Sequence, residues 1–239
     1  MNSGINHLPA SCLNRFFRSL VTRKERWGLS WRGRAVTASA FLLVSAALML
    51  SIHPFLAVTH RVPTKVLVVE GWTHNYGVKA AVEEFKTGRY DRLLTTGGPV
   101  SGYGPSSSIY DTDAYQSARL LKQAGLPDEL VQSIPSLFVG RDRTYNSAVA
   151  LRHWLLLQNL PVGSLNVLTE DAHARRTWLL FQDALGPGVQ VGIISMPNPD
   201  YDAKHWWRSS EGVREIIDES VAYLYARFLF WPPTTKEEI

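Results

Sequence analysis

Apolar and polar positions fall into two regimes along this chain. From Ala35 to Ile52 eighteen residues pass without a charge, and Pro54 to Val58 carry the apolar run beyond His53. Residues 35–58 therefore read as one membrane-spanning helix. Beyond it the apolar runs are short and alternate in type. Lys65 to Glu70 is a β-branched run of strand length, and a helical period follows from Tyr76 to Lys86 with Val78, Ala81, Val82 and Phe85 on one face. Gly88 closes that helix. Arg92 to Thr95 is a short strand broken by Gly97-Gly98-Pro99, and a Gly/Ser loop from Val100 to Ser108 leads into a helix over 109–124, which Gly125-Leu126-Pro127 ends. The pattern then predicts strand 136–140, helix 146–158, strand 165–169, helix 172–184, strand 189–195 and a last helix over 213–231. Five successive βα units predict a Rossmann-like three-layer α/β/α sandwich around a mainly parallel five-stranded sheet, preceded by the N-terminal transmembrane helix. The division is a basic segment 1–34, the span 35–58, an α/β domain over 61–233 and a tail 234–239. The aromatic end of the last helix, from Tyr223 to Trp231, suits either packing on the sheet or a membrane interface.

Charge changes this picture in one respect. The chain has a net charge of +4, but residues 1–34 hold seven basic side chains against the single acid Glu25. From residue 35 onward 18 basic residues face 20 acidic ones, so the domain is slightly acidic and a nucleic-acid partner is disfavoured. A basic segment of that length before the span argues for an uncleaved anchor over a signal peptide. Its arginines place the N-terminus in the cytoplasm and the domain outside it, in the periplasm of a bacterium with two membranes. The sole cysteine, Cys12, precedes the span, which leaves the exported domain without disulfides or thiol catalysis.

In a parallel sheet the carboxyl ends of the strands converge on one crevice. Four segments end strands here: Glu70-Gly71-Trp72, Thr95-Thr96-Gly97-Gly98, Arg141 to Asn146, and Glu170 to Arg176. Helix N-termini, glycine backbone and guanidinium forks in one place suit an anion such as phosphate. Gly97-Gly98 can form an anion nest. His173 and Arg176, three apart, project on one side of a helix start, with Asp171 in position to cap it. His173 then suits general acid or base work and Arg176 the charge developing on a phosphoryl oxygen. At the third segment Thr144 or Asn146 can cap, and one arginine is expected to pair with Asp142. Glu70 is a candidate base or hydroxyl acceptor, with pairing to Arg143 as its structural alternative. Other chemistries lack their patterns. There is no Gly-x-Gly-x-x-Gly behind a strand, no Walker lysine, no Gly-x-Ser-x-Gly elbow and no metal-ligand spacing, so neither a cofactor nor a metal is indicated.

The order of these segments resembles a bacterial envelope family that includes SanA, ElyC and YdcF, over roughly Lys65 to Trp231. Its landmarks are a first strand ending in glycine, a second ending in Ser/Thr-Gly-Gly, a Thr-x-x-Asn-like helix start, and a strand leading to His-x-x-Arg. Gly71, Thr96-Gly97-Gly98, Thr144 with Asn146, and His173 with Arg176 occupy those positions, the Thr-to-Asn spacing being shorter by one. The acid usual after the Gly-Gly loop has Asp111 and Asp113 as its candidates. The resemblance implies a membrane-anchored envelope factor and leaves its chemistry open. Three expectations follow. The first is binding, and processing by a phosphoryl- or pyrophosphoryl-directed hydrolase or transferase, of a phosphorylated or lipid-linked cell-wall intermediate. The second is a non-catalytic binding or scaffolding module, and the third, weaker one, suggested by the Rossmann-like crevice and not by the resemblance, is a nucleotide or S-adenosylmethionine pocket.

Overall fold

A computed structural model describes residues 21–23, 27–73, 75–100, 108–138 and 140–232. The chain divides into two compact units, Met1–Ser51 and Ile52–Ile239. In the first, β1 (Val21–Arg23) and β2 (Trp27–Leu29) pair antiparallel ahead of helix α1 (Trp31–Leu56). This helix is long and apolar enough to cross a membrane. It differs from the 35–58 expected: it starts four residues earlier and ends at Leu56, because the residues after Ile52 belong to the folded domain. Leu56 is 1% exposed and packs with Ala172 and Ile216.

The second unit is built on the strands β3 (Val66–Glu70), β4 (Arg92–Gly97), β5 (Val131–Pro135), β6 (Ser164–Glu170) and β7 (Gln190–Met196). They lie in the order β5-β4-β3-β6-β7, with every neighbouring pair parallel. The helices are α2 (Asn75–Gly88), α3 (Asp113–Gln123), α4 (Arg143–Leu157), α5 (Ala174–Leu185) and α6 (Ser210–Phe228). Successive strand residues point to opposite faces, which is why the strands are apolar throughout. Leu67, Val69, Leu93 and Leu168 pack against Ala81 and Phe85 of α2 and Ala118 and Leu121 of α3. Their neighbours Val68, Leu94 and Val167 pack on the other side against Leu151 of α4 and Phe181 of α5. Helices on both faces of a parallel sheet complete the expected α/β architecture.

The expected strand over 136–140 is displaced: β5 occupies 131–135. As the edge strand it is buried fully only at Val131 and Ile134, so its apolar signal is weak. It also tolerates Pro135, which a central strand would not. Leu137 and Phe138, which prompted the expectation, are exposed. The helix expected over 109–124 is likewise divided into a 3-10 turn, Ile109–Asp111, and α3, whose cap is Thr112 accepting from Tyr115 N at 3.3 Å.

Beyond α1 the chain forms a strap along β7. His60 and Ile193 exchange backbone hydrogen bonds of 2.7 and 2.8 Å. The buried Asn166 amide holds both the N–H and the carbonyl of Val62, at 2.9 and 3.0 Å, and donates to Tyr90 Oη at 2.9 Å. Gly192 has no room for a side chain, since a Cβ there would lie 1.9 Å from Asn166 Oδ1 and 2.9 Å from the backbone of His60 and Val62.

Candidate functional site

From β3 the chain moves outward to β4 and β5, then crosses back to β6 on the other side of β3. Such a switch of direction opens a crevice at the carboxyl ends of the strands. A cleft of about 660 Å³ lies there, lined from β3 and β4 by Glu70, Thr96, Gly97 and Gly98, from α4 by Arg143, Thr144 and Ser147, and by His173, Arg176, Glu215 and Glu219.

One wall is a relay of buried polar groups. Glu70, 2% exposed, accepts hydrogen bonds from Thr169 Oγ1 at 2.5 Å and Thr177 Oγ1 at 2.8 Å. Both partners follow from local periodicity: Thr169 ends the adjacent strand, and Thr177 lies one turn beyond His173 on α5. His173 Nε2 stands 3.7 Å from Glu70 Oε2, too far for a direct hydrogen bond. Its Nδ1 is 2.8 Å from Glu219 Oε1, and the edge of its ring meets Trp72 at 4.7 Å between centroids. Arg176 grips the same carboxylate with Nε and Nη2, both at 2.9 Å. Arg176 Nη2 also lies 2.9 Å from His173 Nδ1, so the carboxylate and the guanidinium together fix the ring, with Nε2 turned toward Glu70. Burial works against ionising Glu219, but His173 and Arg176 outweigh it and hold its carboxyl well below the usual carboxylate range.

The opposite wall suits an anion. Helix α4 opens on the cleft without a side-chain cap, since its N-cap Asp142 adopts a left-handed conformation, φ 59°, and makes no capping bond. Uncapped first-turn N–H groups and the helix dipole both favour negative charge. Arg143 of that turn is half exposed and pairs with Asp113 at 3.0 Å, with its Nη2 also donating to Pro99 O at 3.1 Å. Thr96 Oγ1 is buried with no hydrogen-bond partner among the described residues, an uncommon condition for a hydroxyl.

Several assignments change. Arg143 pairs with neither Asp142 nor Glu70 but with Asp113, and Glu70 is held by hydroxyls instead. Asp171 does not cap α5: its carboxylate accepts from Tyr201 Oη at 2.5 Å and meets His53 Nε2 at 3.0 Å. It is drawn away from the helix because Asp171 sits in a separate 3-10 turn, Asp171–His173, with φ 29°. Neither Thr144 nor Asn146 caps α4, and Asn146 Nδ2 donates to the carbonyls of Arg141 and Asp142. Gly71 and Gly97 serve close packing, because a Cβ on either would meet the Asp113–Ala114 segment within 2.9 Å. Of the sequence candidates, Glu70, Thr96, Gly97, Gly98, Arg143, Thr144, His173 and Arg176 line the cleft, whereas Gly71, Asn146 and Asp171 do not. No family model, curated protein or solved structure matches the chain.

Glu219 and Glu215 escaped the sequence reading. Their signal was a carboxylate on the buried stripe of an amphipathic helix, in line with Ile216 and Ala226. Glu215 is pushed up to about 7, by burial first and then by Glu219 and Glu170, with His173 opposing. A carboxyl raised from its ordinary 4.5 keeps its proton in the folded state while the unfolded chain loses it, so stability falls as pH rises from 4.5 to about 7. Partial exposure limits the effect to on the order of 1 kcal/mol. Glu215→Gln is expected to remove that loss, seen as a smaller drop in melting temperature between about pH 5 and about pH 8 than in the parent. Equal drops in the two proteins would refute it.

Proposed function

We propose that the protein is a membrane-anchored envelope factor, with its N-terminus in the cytoplasm and its domain outside, that binds and processes a phosphorylated cell-wall or lipid-linked intermediate. A phosphoryl group lies against the α4 N-terminus, Gly98, Arg143 and Thr96 Oγ1, and His173 Nε2 takes or gives the proton. The observation that carries this reading is the position of His173, oriented by Glu219 through Nδ1 and turned with Nε2 toward Glu70, across the cleft from an uncapped helix start. The basic residues before the apolar helix and the resemblance to the SanA, ElyC and YdcF family support the envelope role.

The test is phosphate release by the full chain in detergent, with polyprenyl phosphate, polyprenyl diphosphate and phosphorylated wall precursors as substrates. His173→Ala should lower turnover by about 10²–10⁴-fold while affinity changes little, whereas Arg143→Ala should weaken binding. Unaltered turnover in His173→Ala would remove the histidine from the chemistry. A reporter fused after Ile239 that is active only in the cytoplasm would overturn the orientation.

A second reading, a non-catalytic ligand-binding or scaffolding module, has one observation in its favour. Both cleft arginines are already engaged by carboxylates, and Glu70, Asp113, Asp142, Glu215 and Glu219 make the lining acidic overall. Tight binding of these probes without turnover by the parent protein would favour it.

A further inference from the structure

Helix α6 turns two different faces to its surroundings. Gly212, Ile216, Glu219 and Ala226 are buried against the domain. Ile217, Val221, Leu224 and Phe228 are each more than half exposed. At 100° per residue these four fall within about 60° of arc, a single apolar stripe running the length of the helix. Leu229 and Trp231, at 67% and 84% exposure, continue it beyond the helix end. Nothing among the described residues of the domain covers these side chains, and a stripe of this kind on an exposed surface marks an interaction site.

The last turn of α1 identifies what lies against it. Phe55, 41% exposed, meets Tyr223 of α6 edge to face at 5.4 Å, and Leu56 is buried against Ile216 of the same helix. Thus α6 packs on the first residues of the domain, which follow the apolar stretch directly in sequence. Basic groups lie beside the aromatic ones. The Arg175 guanidinium stands 4.0 Å from the Phe55 ring centroid and donates to the Phe55 carbonyl, and the Arg227 guanidinium lies 5.8 Å from the Phe228 ring centroid. Aromatic rings flanked by arginines suit the boundary between acyl chains and anionic headgroups.

We propose that the exposed stripe of α6 lies on the bilayer surface, its apolar side chains in the acyl boundary and Arg175 and Arg227 at the headgroups. The proposal rests on the membrane-anchored reading above and narrows its ligand to the lipid-linked class. The same helix carries Glu215 and Glu219 into the cleft from its other side, so the cleft wall stands about one helix diameter, roughly 10 Å, from the headgroups. A site at that height takes its phosphorylated ligand from the bilayer, as a lipid-linked headgroup, in preference to a free soluble phosphate.

The experiment uses the full chain with its only cysteine removed by Cys12→Ser, reconstituted into vesicles of phosphatidylcholine and phosphatidylglycerol. Single cysteines introduced by Val221→Cys, Phe228→Cys, Asp218→Cys and Leu48→Cys carry an environment-sensitive fluorophore, and nitroxide lipids are the quenchers. Labels at 221 and 228 should shift their emission to the blue and lose most of it to acyl-chain nitroxides, while the label at 218, on the flank of the stripe, should not. Quenching at 48 with none at 221 and 228 would overturn the proposal and leave the anchor intact. Absence of quenching at 48 would remove the anchor, and this proposal with it. An unquenched label at 221, together with oxidant-driven disulfide dimers of the unlabelled Val221→Cys protein, would assign the stripe to a second molecule and overturn the lipid assignment.

Discussion

Glu219→Ala is expected to destabilise the domain by about 3–5 kcal/mol, because one carboxylate satisfies both His173 and Arg176 in a buried setting. Its removal leaves the Arg176 guanidinium, whose side chain is only 19% exposed, without its counter-charge. The cost therefore reflects an abandoned cation more than the worth of a contact. The carboxyl is held below its ordinary 4.5, so its contribution is complete above pH 4.5 and is lost as pH falls through the lower folded-state value. Glu219→Gln, which keeps the shape and a hydrogen-bonding carbonyl, should cost less than Glu219→Ala. Urea denaturation at neutral pH is the measurement. A loss under about 1 kcal/mol for Glu219→Ala would mean that solvent already screens the triad.

Gly192→Ala should be the next most damaging substitution, at about 2–4 kcal/mol. The added methyl would occupy the position of Asn166 Oδ1 and press on the His60 carbonyl and the Val62 N–H, two of these three contacts being backbone that cannot rotate away. The strap must then lift from β7, breaking the Asn166 bonds to Val62. Asn166→Ala attacks the same join from the other side by leaving the Val62 N–H and carbonyl and the Tyr90 hydroxyl without their partner, and a loss of about 2–4 kcal/mol is expected there too. Because both substitutions act on one join, the double variant should lose much less than the sum. Full additivity in denaturation midpoints, or a neutral Gly192→Ala, would show that the strap is not held as described.

The architecture was legible because its signal is periodic. Central strands buried on both faces read as continuous apolar runs, and the caps and glycines between them mark the turns. The edge strand β5 was not legible, since an exposed face and Pro135 dilute its pattern while the adjacent Leu137 and Phe138 imitate a strand. For the site, the strand-end rule brought His173, Glu70 and Arg143 to one crevice from positions up to about a hundred residues apart. Their partners were not deducible by that rule. Asp113 reaches Arg143 from the start of α3, and Glu219 reaches His173 from α6, an element that follows no strand directly and whose apolar residues drew attention away from its acids. Pairing across elements depends on how helices rotate as they pack, which sequence spacing does not encode.

The dependence of His173 on α6 also orders events in time. A chain emerging from the ribosome presents β3, the Gly-Gly turn and His173 itself long before Ser210–Phe228 exists. Domains acquire structure as they are made, beginning at the N-terminus. During that interval the sheet can assemble, yet His173 Nδ1 and the Arg176 guanidinium lack the Glu219 carboxylate that joins them. Until its last helix docks, the nascent domain lacks the Glu219 contacts that fix His173 and Arg176, and a protease that severs the chain after β7 removes them again while sparing all five strands.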